Sequence, residues 1–295
     1  MEFIPAKTIL SGYAENNPWF GCNYTMNIYK GCCHGCIYCD SRSECYRVDD
    51  FDEVRAKENA LALIERELMS KRKKGVVGTG AMSDPYNPFE KKYELTKGAL
   101  ELIHRYGFGA AIATKSDLIV RDRELLKEIG KHSPVLVKMT VTTADDLLCR
   151  KIEPHAALSS RRLEAIEKLT QEGIFAGILL MPVLPFIEDT EENISRIIEL
   201  AHQKGAKFIY PAFGVTLRQN QRAWYYEKLD ELFPSLKEKY IENYGNAYEC
   251  RSLKARELWR LFQDKCDQYG ILYNMPDIIA GYKGPCRLEQ LSLFE

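Results

Sequence analysis

Through the middle of the chain, short apolar runs rich in β-branched residues alternate with amphipathic stretches. Runs near 25–30 (TMNIY), 76–80 (VVGTG), 109–114 (GAAIAT), 135–142 (VLVKMTVT), 174–181 (IFAGILLM) and 207–212 (KFIYPA) predict six strands. Between them, apolar residues recur at helical spacing near 52–73, 91–106, 121–131, 159–172 and 190–204. Helix starts are signalled by Asp117 and Asp122, by Ser159 and Ser160, and by Asp189 and Thr190. Gly107, Gly130, Gly173 and Gly205 fall where helices should stop, because glycine reaches the left-handed conformation that ends a helix. Six strand–helix units predict an α/β fold with a parallel sheet, either barrel-like or open.

Beyond about residue 214 the strand signal fades. RAWYYEKLDELF, SLKEKYIENY and LKARELWRLFQDKC read as helices with aromatic stripes (Trp224, Tyr225, Phe233, Tyr240, Trp259, Phe262), and helix packing is the simpler explanation of that spacing. The organisation expected is an N-terminal segment over 1–22, a core over 23–215, a helical extension over 216–289 and a short tail over 290–295.

Charge adds a restriction. The 41 Lys and Arg nearly balance the 42 Asp and Glu of this 295-residue chain, so no global field draws it to nucleic acid or to an anionic membrane, and any such binding needs a local patch. The basic runs at Lys71 to Lys74 and at Arg161–Arg162 fall on helical stretches and read as solvated faces. The opening residues lack a secretory pattern, and no apolar run is long enough to span a bilayer, which predicts a soluble cytoplasmic protein without membrane contact.

The ten cysteines change the picture most, since disulfides rarely persist in a reducing compartment and metal or catalytic roles gain weight. In YKGCCHGCIYCD, Cys32, Cys36 and Cys39 form C-x3-C-x2-C directly after the first expected strand. Gly31 and Gly35 let this loop wrap closely around a bound object. Loops at the C-terminal ends of parallel strands are where such folds place their active sites. Three thiolates can each hold one iron of a cubane and leave the fourth iron open. Two alternatives remain on spacing alone: Cys33 with Cys36 and Cys39 gives C-x2-C-x2-C, and the cysteines with His34 could hold a structural zinc. Cys22, Cys45, Cys250, Cys266 and Cys286 lack compact spacing and read as buried or idle thiols, and Cys149 reads as packing.

The loop resembles that of the radical S-adenosylmethionine (SAM) superfamily, whose C-x3-C-x-aromatic-C pattern is matched by Cys32, Cys36, Tyr38 and Cys39. The resemblance implies a partial (β/α)6 TIM-like barrel and a [4Fe-4S] cluster on those three cysteines. It also implies SAM bound at the open iron, Tyr38 beside the adenine, and an electron donor such as flavodoxin or ferredoxin. Reductive cleavage of SAM would give methionine and a 5′-deoxyadenosyl radical that abstracts hydrogen from a substrate. Strand-end positions matching the family's SAM contacts are Gly80, Ser83 and Asp84 toward the methionyl ammonium, Lys115 toward the carboxylate, and Thr142 and Thr143 toward ribose or carboxylate. Asp84 also suits a turn before Pro85, and Glu153 before Pro154 reads as a loop stop.

NxYxGCxHGCxYC, TGxxSDPYxPxE, TKS, TVTT, IEPxxxxxxRRLEAI and MPVLP together resemble the spore-photoproduct-lyase-like group, annotated broadly as DNA repair photolyase, over roughly residues 20–215. That implies a DNA lesion or modified base as substrate, with RNA, a peptide or a small metabolite as the alternative. Ala81 stands where the lyases carry their hydrogen-donating cysteine. At the chain end, Gln290, Leu291, Ser292, Leu293 and Phe294 resemble the pentapeptide that docks on the DNA polymerase sliding clamp, against the alternative of a tail folded onto the barrel. A non-catalytic, metal-bound adaptor tethered to the clamp is the rival from another class.

Overall fold

The computed structural model describes residues 1–13 and 19–284. Six strands form one parallel sheet in sequential order: β1 (Tyr24–Met26), β2 (Val76–Thr79), β3 (Gly109–Thr114), β4 (Val135–Thr140), β5 (Phe175–Leu180) and β6 (Ile209–Pro211). Leu10–Gly12 adds an antiparallel edge to β1. This is the parallel α/β architecture expected from the six units, in the partial TIM-like form that the resemblance implies.

The pleat sorts the side chains into two layers. Val77, Ala110, Ile112, Val137, Met139, Ala176 and Ile178 pack into the main core beneath the helices. Their alternates Val76, Ala111, Leu136 and Leu179 face inward, where Phe20, Phe208, Ile278 and Tyr282 fill the N-terminal half of the curved sheet. Ala113 and Thr140, farther along β3 and β4, open instead into a cavity at the C-terminal end. The inner face is therefore closed below and accessible above.

Several local expectations shift. The run at 25–30 is not one strand: β1 stops at Met26, and Tyr29–Lys30 pairs with Arg55–Lys57 in a separate three-stranded sheet with Glu2–Ile4. The chain turns away there because Asn27 packs over Gly80, so closely that a Cβ at Gly80 would lie 2.0 Å from Asn27 Oδ1. The helix expected over 52–73 shrinks to Ala60–Ser70 because its first part is that strand. The helical stretch at 91–106 breaks at Glu94 (φ 49°) into Glu90–Tyr93 and Leu95–Arg105. Thr190 caps Glu191–Gln203 as expected, its Oγ1 accepting from Asn193 N at 3.1 Å. Gly107, Gly173 and Gly205 adopt positive φ, whereas Gly130 does not and stays inside its helix.

After residue 214 the chain is mostly helical, with an unexpected antiparallel pair of Gly214–Thr216 and Glu249–Arg251. Gln219–Leu232 and Leu236–Tyr244 place Tyr225 and Tyr240 against Cys36, Ile37 and Tyr38, so the aromatic stripe backs the cysteine loop. Ala255–Tyr269 sends Leu258, Phe262 and Cys266 into the main core, and Met275–Lys283 supplies the inner plug. Among the described residues no helix is long and apolar enough to cross a membrane. The segment 290–295, with its five clamp-like residues, and Cys286 lie outside the described residues.

Candidate active site

Gly31 opens the cysteine loop with φ +80°, and a Cβ there would sit 2.1 Å from Glu53 O, so only glycine lets the two backbones approach. Backbone bonds then fix the loop: Gly31 N to Met82 O at 3.1 Å, Cys32 N to Phe51 O at 2.7 Å, and Ile37 N to Ile152 O at 3.0 Å. Gly35 (φ +70°) makes the second reversal.

The result is a cavity of about 150 Å³ lined by Cys32, Cys36 and Cys39 together with Ala81, Ser83, Asp84, Ala113, Thr114, Lys115 and Thr140. Cys33 is absent from this lining and faces a groove on the other side of the loop. The three lining thiols influence one another. Burial pushes Cys32 up to about 12, with Asp84 adding to the rise. Burial also lifts Cys36 and Cys39, partly opposed in each by the Lys115 ammonium. All three therefore sit as thiols until something more electropositive than a proton displaces it.

Asp84 is the pin between strand ends. Its Oδ1 accepts from Tyr86 N (2.8 Å) and Thr114 Oγ1 (2.6 Å), and its Oδ2 from Lys115 N (2.7 Å). The same carboxylate closes the turn through Pro85 and lines the cavity. His34 Nδ1 lies 3.6 Å from Asp84, while burial keeps the imidazole below its usual range against the pull of that carboxylate.

Lys115 reaches the cavity from the end of β3 with Nζ 4.0 Å from Glu153 Oε1 and 5.5 Å from the centre of the Tyr38 ring. Burial alone would lower its pKa, but Cys36 and Glu153 outweigh it and the ammonium is held above its usual range. Glu153, 1% exposed, accepts from the Tyr38 hydroxyl and pairs with Arg162. Burial would raise its pKa, yet Arg162 and Lys115 prevail and hold the carboxyl below the ordinary range. Arg162 also donates through Nη1 to Thr140 O (2.8 Å) and through Nε to Ala157 O (2.7 Å), tying the end of β4 to the same network.

Other expected positions fall elsewhere. Tyr38 is buried with its hydroxyl committed to Glu153, outside the cavity lining. Gly80 lies against Asn27, also outside it. Thr142 and Thr143 are likewise absent from the lining because β4 ends at Thr140. Thr142 O accepts from Asn193 Nδ2 (2.9 Å) and Thr143 Oγ1 from Asp145 N (3.1 Å), both shaping the next turn. The solvated reading of Arg161–Arg162 fails for half of the pair: Arg161 is exposed and bridges to Asp117, whereas Arg162 is 0% exposed. The loop-stop reading of Glu153 missed its role in the same way. Helical spacing gave a signal for Arg162, which shares a face with Ile166 and Leu169. Thr140 and Ala113 could have been found from strand alternation.

The family model of the radical SAM superfamily matches residues 26–201. An uncharacterized protein of Mycobacterium tuberculosis is 31% identical over 228 residues, which cover 75% of this chain and 67% of that one. An uncharacterized protein of Methanocaldococcus jannaschii is 33% identical over 174 residues, 58% of this chain and 64% of its own. Among solved structures, spore photoproduct lyase complexed with dinucleoside spore photoproduct shares the fold with a TM-score of 0.61 at 15% identity, over 84% of this chain and 74% of that one. A point mutant of the same lyase gives a TM-score of 0.65 at 14% identity over 90% and 78%. With a match that covers more than half of its length and a parallel sheet that ends in a three-cysteine cavity, the chain belongs to the radical SAM superfamily and is a radical SAM enzyme.

Proposed function

We propose that Cys32, Cys36 and Cys39 hold a [4Fe-4S] cluster, that SAM binds beside it at the mouth of the sheet, and that the enzyme abstracts hydrogen from a damaged or modified nucleic-acid base. The observation that carries the cluster assignment is the sorting of the loop: three thiols line one cavity and Cys33 lines another. The donor set suits an iron–sulfur cluster, because thiolates bind its irons strongly and three such ligands would leave one iron open. A zinc site needs its donors around one point, and among the described residues no three His, Cys, Asp or Glu side chains are so arranged.

Bound there, the cluster would supply one-electron chemistry for the reductive cleavage of SAM. The chain's own residues then have separable tasks. Lys115 offers a fixed cation to a carboxylate at the cavity. Asp84, already accepting from three donors, holds β2 and β3 in register at the mouth. The Glu153–Arg162 pair anchors Tyr38 and the end of β4. Ala81 offers no thiol at the position where the lyases carry their hydrogen donor, so any hydrogen atom returned to the product would come from another source, SAM-derived 5′-deoxyadenosine among them. The choice of a nucleic-acid base rests on the resemblance of the strand-end segments to the spore-photoproduct-lyase-like group.

The test is anaerobic reconstitution with iron and sulfide, followed by reduction and assay for 5′-deoxyadenosine. Cys32→Ala, Cys36→Ala and Cys39→Ala should each lose visible cluster absorbance and SAM cleavage, while Cys33→Ala keeps both. A cluster that survives any of the first three changes, or is lost with the fourth, refutes the assignment.

A further inference from the structure

On the face of the cysteine loop opposite the cavity lies a groove of about 570 Å³ whose walls include Cys33, Gly35, Arg42, Arg150, Lys151 and Trp224. Cys33 and Gly35 are covalent neighbours of Cys32 and Cys36, so the groove floor is the back of the candidate cluster loop. Its charge departs from the balanced chain. Four cations line it, Arg42, Arg150, Lys151 and Lys228, against two carboxylates, Asp52 and Glu231. Both carboxylates are already paired, Asp52 with Arg42 and Glu231 with Lys228. Arg150 donates only to Pro154 O (3.1 Å), and Lys151 lies over the Phe233 ring at 4.1 Å, so neither meets a carboxylate among the described residues.

The walls are also short of acceptors. Arg42 Nε and Trp224 Nε1 are buried donors without a hydrogen-bond partner; the first belongs to a cation already counted, and the second adds a neutral donor to the excess of two cations. The Trp224 ring is covered by the Arg42 guanidinium at 3.9 Å and approached by the Lys228 ammonium at 4.7 Å. Two cations therefore already compete for the Trp224 ring, which disfavours single-stranded nucleic acid, whose binding relies on stacking on open aromatic faces.

From this we infer that the groove is the docking surface for the reductant, a small acidic protein carrying a flavin or iron–sulfur group. Resting on the cluster assignment above, the inference gives the two faces of the loop separate duties: SAM and substrate meet the inner face, and the electron enters from the outer one. The balance is simple. The partner's reduced carrier would lose one electron and the cluster gain it, with no bond made or broken. Charge complementarity sets the encounter rate and orientation more than the final affinity, so binding should weaken with salt.

The experiment compares the reconstituted wild-type enzyme with Arg150→Glu/Lys151→Glu, two exposed positions whose reversal leaves the core intact. An acidic flavodoxin is the probe, calorimetry gives its affinity, and stopped-flow absorbance gives the rate of cluster reduction by its reduced form. The double variant should bind at least tenfold more weakly, lose the salt dependence and be reduced at least tenfold more slowly, while reduction by dithionite, which needs no docking, is unchanged. Equal binding and equal reduction in the two proteins overturn the inference. So does loss of single-stranded oligonucleotide binding in the variant with flavodoxin unaffected. If dithionite reduces no cluster in the wild type, the cluster assignment fails and takes the docking surface with it.

Discussion

Arg162 and Glu153 form an ion pair in which both side chains are excluded from water, at 0% and 1% exposure, and the pair joins the helix Ser159–Gln171 to the back of the cysteine loop through Tyr38. Removing one member leaves the other buried and uncompensated. Arg162→Met should therefore destabilise the apo protein by about 3–5 kcal/mol in urea unfolding. Glu153→Gln/Arg162→Met should cost less than the sum of the single changes by at least about 1 kcal/mol, since the interaction is lost only once. Strict additivity would mean that the pair is not coupled.

Gly31 and Gly107 both have positive φ, at 80° and 68°, but differ in what surrounds them. A Cβ at Gly31 would meet Glu53 O at 2.1 Å, whereas nothing lies within 4 Å of one at Gly107. Gly107→Ala should cost about 1 kcal/mol from backbone strain alone. Gly31→Ala should cost at least about 2 kcal/mol more, because the loop must move off the bend that holds Glu53. Chemical denaturation of the two variants separates them, and equal losses would contradict this account.

Much of this was legible in the sequence because it is local. Strand runs of five to eight residues, glycines at helix ends and the three cysteines each carry their signal within a few positions. What escaped was long-range. Thr142 and Thr143 pointed to the cavity only on the assumption that β4 ran past Thr140. Arg162 reads as one of two surface charges until Glu153, nine positions back, is known to face it. Lys115 and Asp84 were found because strand-end loops converge in this fold, but the three bonds that Asp84 accepts depend on partners up to 31 residues away. The strand at Arg55–Lys57 forms between two partners distant in sequence, Glu2–Ile4 and Tyr29–Lys30.

Lys115 lines the cavity with the three thiols, its side chain 21% exposed. If it meets the SAM carboxylate, Lys115→Met removes one charge-assisted bond, worth about 1.5–3 kcal/mol. The dissociation constant of SAM for the oxidised, reconstituted enzyme should rise about tenfold or more, with cluster content unchanged. Glu153 keeps Arg162 as its partner, so thermal stability should change little. Calorimetric titration with SAM is the measurement, and an unchanged dissociation constant would remove Lys115 from the binding site.

Glu188 is 0% exposed, its Oε2 accepts from Leu184 N at 3.0 Å, and its Oε1 has no hydrogen-bond partner. Burial raises its pKa from the ordinary 4.5 to about 8, so the folded protein keeps this carboxyl protonated at neutral pH. The sign follows from proton counting. Below 4.5 both states hold the proton and stability is unaffected; between 4.5 and 8 only the unfolded state releases it, so unfolding gains with pH. This one group should lower stability by about 1.4 kcal/mol per pH unit across that window, levelling off above it. Glu188→Gln, which cannot ionise, should lack that slope, so its stability relative to wild type should climb from pH 5 toward pH 8. Urea unfolding at several pH values reads this directly, and parallel curves for the two proteins would show that Glu188 is already ionised in the folded state.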